Sequence, residues 1–303
     1  MREFTDNQFL NRHRRNIAQS QFGEDGIIEK ILEIIPADAQ NHWCCEFGAW
    51  DGKHCSNTNH LVNSQDWTGV FIEANPFKFK DLQATYSSRP KAVLVNEFVT
   101  ITGDSSLDNI LERAGAPKDL DLLSIDIDGN DYYIFKSLAR YRPKVIVIEF
   151  NPCIPDNIEF VQQPEPTLKQ GTSLLAMTKM AKEKGYELIC VNAENAFYVT
   201  KEYFPLFGIQ DNSISALKYY REPLQVFQLF DGTLVFHGEP HCLYWYSLPV
   251  DFNQLQVLPK FVRRAGTPWG GNIFLRAIIK LLRIYRLRSW KNVSGVDYGA
   301  WKM

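Results

Sequence analysis

Between residues 20 and about 200 the chain alternates short apolar runs with helical stretches, and that rhythm constrains its fold more than any other feature. Trp43 to Phe47, Val70 to Ile72, Ala92 to Val95, Leu120 to Ile125 and Val145 to Phe150 are the apolar runs. Gly26 to Ile35 carries apolar residues at Ile27, Ile28, Ile31, Leu32 and Ile35, a helical stripe. Further helices are expected over Tyr132 to Ala139 and Thr172 to Lys184, the second ended by Gly185. Short β-rich runs separated by helices predict an α/β, doubly wound, mostly parallel sheet covered on both faces. Tyr186 to Val191 and Phe197 to Val199 flank Asn192-Ala-Glu-Asn195, which reads as a tight reversal and predicts an antiparallel hairpin at the end of the sheet.

In open α/β sheets a ligand sits beyond the carboxyl ends of the strands. The first strand runs into Glu46-Phe-Gly-Ala-Trp-Asp-Gly52. Counted from Gly48, the third and sixth positions are Trp50 and Lys53, so the dinucleotide glycine fingerprint fails. A Walker loop fails as well, because Lys53 comes early and His54 follows it. Glu46 and Asp51 make the loop acidic, which suits a ligand bearing an ammonium or sulfonium, such as S-adenosylmethionine, over a polyphosphate. Val70-Phe-Ile-Glu73 ends in a carboxylate 21 residues after Gly52, where a group accepting from ribose hydroxyls is expected.

Several separately spaced segments then resemble one family. EFGAWDGKHCSNT, DWTGVFIEANPFKFKDL, SSLDNIL and DLLSIDIDGNDYYIF, with SQFGEDGIIEKIL upstream and GYELICVNAENAFYV downstream, look like the FkbM-type S-adenosylmethionine-dependent methyltransferases. The resemblance covers residues 20 to about 205 and implies a class I methyltransferase (Rossmann-like) fold and O-methylation of sugars or natural products. It implies that Glu46, Gly48, Asp51 and Gly52 line the methionine end, with Ser56 and Asn57 opening the next helix beside it. It further implies that Glu73 holds the ribose, that Ala74 and Asn96 approach the adenine, and that Asp126 faces the sulfonium. Trp50 departs from the small polar residue common in the family.

Methyl transfer to a hydroxyl needs alignment and a proton acceptor. Asp126, Asp128 and Asp131, with Glu149 at the next strand end, supply carboxylates on one edge. The expected base is Asp128 or Glu149, with His54 as runner-up. A calcium loop fails, since the required glycine position is Asp131 and the twelfth position is Ser137. A divalent cation on Asp126, Asp128 and Glu149 is the less favoured alternative to a metal-free site.

Overall charge conceals an asymmetry. The chain has 33 Lys and Arg against 35 Asp and Glu, a formal −2, yet residues 252–296 hold nine basic residues and no acid, leaving −11 on everything else. Within it, residues 273–291 read as a basic amphipathic helix, with Arg276, Lys280, Arg283 and Lys291 near one face and Phe274, Leu275, Ile278, Ile279, Leu282 and Tyr285 largely opposing them. Peripheral contact with an anionic membrane competes with simple packing; nucleic acid is not expected, and a homo-oligomer is left open. Leu224 to Phe230 and Thr233 to His237 around Asp-Gly read as a β-hairpin. The six cysteines show no metal or redox spacing, and no leader or spanning segment is seen, so a cytoplasmic protein is expected. The organisation expected is an N-terminal arm (1–19), a methyltransferase domain (20–210) and a C-terminal extension with hairpin and helix (211–303). The expected function is S-adenosylmethionine-dependent O-methylation of a sugar, glycan or glycolipid. The alternative is a non-catalytic binding or scaffolding protein on the same fold.

Overall fold

The computed structural model describes residues 4–219, 224–238, 242–243, 248–249, 255–256, 263, 273–274, 277–282 and 284. The chain forms two compact units, residues 1–223 and 224–303.

The first unit is built on a seven-stranded sheet. Its strands are β1 (Trp43–Phe47), β2 (Thr68–Ile72), β3 (Ala92–Val95), β4 (Leu122–Ile125), β5 (Val145–Glu149), β6 (Tyr186–Val191) and β7 (Asn195–Thr200). Their spatial order is β3-β2-β1-β4-β5-β7-β6. The first five are parallel, while β7 runs antiparallel to β5 and to β6. This is the class I methyltransferase order, and it includes the terminal hairpin expected around Asn192 to Asn195. Strands β4 and β5 are almost wholly buried, which explains their unbroken apolar sequences: helices cover both faces.

The helices are α1 (Glu24–Ile34), α2 (Asn59–Ser64), α3 (Pro76–Thr85), α4 (Leu107–Arg113), α5 (Asp131–Ser137), α6 (Leu174–Glu183) and α7 (Ile214–Leu217). Their ends follow from local chemistry. Asn75 Oδ1 accepts from the amides of Phe77 and Lys78 to cap α3, whose first residue is Pro76. Ser173 caps α6 through the Ala176 amide, and Gly185 follows that helix at φ 80°. Before α1, a 3-10 helix (Asp6–His13) buries Leu10 and donates from Asn11 Nδ2 to the Val191 carbonyl. Asp25 gathers the intervening loop by accepting from Ile17 N, Ala18 N and Ser20 Oγ.

Strand β2 starts before the apolar run Val70 to Ile72: Thr68 and Gly69 belong to it, pairing with Trp43 and Cys44. A β-carbon at Gly69 would sit 2.6 Å from both the Phe71 ring and Val62, so the glycine serves packing inside the strand.

The second unit contains a hairpin of β8 (Gln225–Gln228) and β9 (Leu234–His237), closed as expected at Asp-Gly, with Leu229 N donating to the Thr233 carbonyl. Residues 242–243 pair antiparallel with 248–249. Residues 273–274, 277–282 and 284 are helical; Arg276, Arg283, Lys291, Leu275 and Tyr285 of the expected amphipathic helix lie outside the described residues. Ile278, Ile279 and Leu282 are half-buried and Lys280 is exposed, but Phe274, expected on the apolar face, is exposed as well. Among the described residues, no helix is long and apolar enough to cross a membrane, and five cysteines are free thiols.

Candidate functional site

Strand order reverses at β1, where β2 leads away on one side and β4 on the other, so a crevice opens at the carboxyl ends of β1 and β4. The residues expected to act gather along this edge in two groups.

On the β1–β2–β3 side, carboxylates brace the backbone. Glu46 ends buried and accepts from Ser56 Oγ (2.6 Å), Thr58 Oγ1 (2.7 Å) and the Asn57 amide (2.7 Å). Burial raises its carboxyl above the ordinary value, and those three donors work against the rise. Through these bonds Glu46 fastens the approach to α2, which begins at Asn59, three residues after Ser56. Asn57 in turn donates from Nδ2 to Ser124 Oγ in β4. Asp51 accepts from the amides of Lys53 and His54 and lies 3.3 Å from His54 Nδ1. Partial burial opposes its charge, but these partners prevail and hold its carboxyl below the usual range.

Gly48 is required for a reason other than ligand approach. At φ 85° its missing β-carbon would lie 1.8 Å from the carbonyl oxygen of Asp126, so the glycine lets the first loop press onto the end of β4. Gly52 (φ 72°) similarly leaves room for Tyr86 and Leu82. Trp50, Cys55 and Asp128 hold the left-handed backbone despite their side chains, which concentrates strain around the crevice.

Glu73, expected as a ribose acceptor, directly follows β2. Its Oε2 accepts from the Trp50 amide (2.9 Å) and Oε1 from the Asn75 amide (2.6 Å), so each oxygen keeps capacity for another donor. Asn96, at the end of β3, donates to the Glu73 carbonyl at 2.7 Å, beside Ala74. Trp50 is 45% exposed with Lys78 Nζ 4.3 Å from its ring centre, so an aromatic–cation pair flanks this end.

On the β4–β5 side, carboxylates face one another. Oxygens of Asp126, Asp128 and Glu149 lie within 4.8 Å of each other. Burial first, and then the charges of Asp131 and Asp128, push Asp126 up to about 7, while a hydrogen bond with Glu149 works the other way. Burial, Asp126 and Asp131 drive Glu149 well above its ordinary value. At neutral pH such a pair shares protons instead of carrying two charges. Asp131 has a structural part: it accepts from the amides of Ile127 (2.9 Å) and Gly129 (2.8 Å) and so shapes the loop that presents Asp126 and Asp128. Asp128 is exposed, and His54 is exposed and engaged with Asp51.

Sequence reasoning missed three contributors. Glu194, in the β6–β7 turn, adds its charge to Asp126, Glu149 and Cys55. Glu24, at the start of α1, accepts from Asn192 Nδ2 (2.6 Å) and Asn195 Nδ2 (3.2 Å), pinning that turn. The connection from β5 to α6 lies over the Asp126 loop: Gln162, 1% exposed, donates to Asn130 Oδ1, and Lys169 Nζ donates to the Ile127 carbonyl at 2.7 Å. A buried glutamine within a 24-residue connection has no sequence signature; the Asn192 and Asn195 pair beside Glu194 was visible but reads as turn chemistry alone.

The donor set fits a cationic, ribose-bearing ligand: Glu73 retains acceptor capacity, acids line the crevice, and neither dinucleotide glycines nor a Walker lysine is present. A divalent ion would find hard oxygens at suitable spacing on Asp126, Asp128 and Glu149.

No curated protein sequence matches the chain. Solved structures similar to it include the citrinin polyketide synthase CMeT domain, at 9% identity and a TM-score of 0.39, covering 58% of this chain and 50% of that one. The N-terminal domain of EvdMO1 with SAH bound is similar at 13% identity and TM-score 0.39, covering 58% and 79%. The CurJ carbon methyltransferase is similar at 10% identity and TM-score 0.38, covering 58% and 52%. The chain thus spans about half the length of the first and third of these. Residues 99–188, which include Asp126, Asp131 and Glu149, match the sequence model of the methyltransferase FkbM domain.

Proposed function

We propose that the protein is an S-adenosylmethionine-dependent O-methyltransferase acting on a hydroxyl of a sugar or glycan. The observation that carries this reading is the Asp126–Glu149 carboxyl pair at the strand ends, with Asp126 pushed up to about 7. A carboxyl that ionises near neutrality is suited to take the proton of an acceptor hydroxyl as it is methylated. S-adenosylmethionine supplies the electrophilic methyl group. Glu73 accepts from the ribose hydroxyls, and the Trp50 and Asn75 amides hold Glu73 in place for that task. Asp126 takes the acceptor proton while Glu149, kept neutral by its surroundings, hydrogen-bonds to Asp126. The connection over residues 151–171, anchored by Gln162 and Lys169, borders the Asp126 loop and offers polar groups to a polyhydroxyl acceptor.

The test is transfer of a tritiated methyl group to small sugars and extracted glycans, with and without a chelator. Transfer that survives chelation supports the carboxyl pair as base, whereas transfer abolished by chelation and restored by magnesium moves the role to a metal on Asp126, Asp128 and Glu149. Glu73→Ala should weaken cofactor binding at least about tenfold by calorimetry, from loss of charge-assisted hydrogen bonds. An unchanged dissociation constant would refute the ribose role, and no cofactor binding by the unmodified protein would favour a scaffolding descendant.

A further inference from the structure

We propose that the second unit, residues 224–303, is a peripheral membrane module that docks on anionic bilayers by inserting exposed apolar side chains between basic ones. This is independent of the reaction assigned to the first unit.

Its surface is unlike an ordinary soluble one. Fifteen large hydrophobic residues are exposed in the described chain, and ten lie in this unit although most of its residues are not described. They include neighbouring residues of β8 and the tip of the hairpin: Phe230 is 99% exposed, Phe227 49% and Val226 50%. Ile273 and Leu281 of the helical segment are 77% and 67% exposed. Soluble monomers seldom concentrate apolar surface in this way without a partner.

Charge specifies the partner. The unit has ten Lys and Arg against four Asp and Glu, and residues 252–296 hold nine bases and no acid. This basic stretch is fastened to the apolar hairpin. Gln256 Oε1 accepts from Leu234 N and its Nε2 donates to the Gly232 carbonyl, while Arg263 donates to Thr233 Oγ1. Three bonds therefore join residues of the acid-free stretch to the hairpin's turn. Basic residues beside exposed apolar ones match the anionic headgroup layer over hydrocarbon. Single-stranded RNA also pairs with basic surfaces, but it needs flat aromatic faces for stacking. Here seven of the ten exposed apolar residues are aliphatic and only Phe227, Phe230 and Phe274 offer rings, a balance that favours hydrocarbon.

Flotation of the full chain with vesicles of phosphatidylcholine alone, or with about 30% phosphatidylserine, tests the idea at low and high salt. Partition onto the anionic vesicles should exceed that onto neutral ones by at least about tenfold and fall sharply near 0.5 M salt, where screening is short-ranged. Phe230→Ser should lower partition about fivefold, through lost insertion, without changing the melting temperature, because the ring touches little in the folded chain. Lys280→Glu should lower it by about tenfold, as a reversed charge near the surface. Equal weak partition onto both vesicles would overturn the proposal. So would retention on polyuridine with no vesicle binding, or a stable dimer in light scattering that leaves vesicles unbound.

Discussion

Strands β4 and β5 are flanked by a pair of ionisable residues at each end, fully or nearly buried at one and half-buried at the other, and the two pairs are built on opposite principles. At the amino ends, Asp121 and Lys144 are opposite charges. Lys144 Nζ lies 2.9 Å from Asp121 Oδ1 and also donates to the Asp119 carbonyl, while Asp121 Oδ2 accepts from the amides of Asn41 and Trp43. At the carboxyl ends, five residues further along each backbone, Asp126 and Glu149 are like charges, with Asp131, Asp128 and Glu194 adding to the repulsion. The first pair is complete within itself. The second is satisfied only by holding protons, so it is the end able to exchange them with a ligand. Two neighbouring strands thus separate stability from chemistry by their length.

Removing Lys144 should give the largest effect. Lys144→Ala leaves the fully buried Asp121 charge without its cation, and breaking such a pair from one side costs about 3 to 5 kcal/mol. Urea unfolding of the variant should show this loss, with the slope of the transition unchanged. A loss below about 1 kcal/mol would mean that the Asn41 and Trp43 amides compensate Asp121 by themselves, and the contrast between the ends would shrink.

The carboxyl end should answer in the other direction. Asp126→Asn should lower methyl transfer about 100- to 1000-fold by removing the proton acceptor. The same change should stabilise the protein. In the unfolded chain an aspartate ionises at the ordinary value, about 4, whereas the folded pair holds the proton to about 7. Stability from this group is therefore complete below about pH 4 and is lost as pH rises to about 7. Asparagine has no such dependence, so at pH 8 the variant should gain up to about 4 kcal/mol over the unmodified protein, and little or nothing at pH 4. An inactive variant that is also destabilised at pH 8 would make Asp126 a structural residue.

How far this contrast could be read in the sequence depends on what each feature rests on. The sheet was legible because buried parallel strands must be continuously apolar, as β4 and β5 are, and because Asn192 to Asn195 permits only a tight reversal. Asp126 and Glu149 were legible as strand-end acids, since the class of fold puts strand ends at the ligand. Their different burdens were not legible. Glu46 and Asp126 look alike as acids closing apolar strands, yet one meets Ser56, Asn57 and Thr58 while the other meets carboxylates. That distinction arises from loops converging over distances no local pattern records. The same holds for the room that Gly48 makes for the Asp126 carbonyl.

The smallest effect should come from Glu149→Gln, and it is the most discriminating. A glutamine keeps a donor toward Asp126 but cannot ionise. If Glu149 stays neutral and serves only to hydrogen-bond Asp126, the variant should lose about tenfold in methyl transfer, within the lower range for a group aiding a base. Its pH profile should keep one rise near neutrality, because Asp126 keeps its desolvation and then its neighbours Asp131 and Asp128, the largest causes of its raised value. If instead Glu149 is the residue that takes the proton, activity should fall as far as in Asp126→Asn and the rise should disappear. A profile moved to lower pH, with activity nearly intact, would show that charge on Glu149 had been holding Asp126 up. The two carboxyls would then act as one titrating unit, and the contrast with the self-contained Asp121–Lys144 pair would be sharper still.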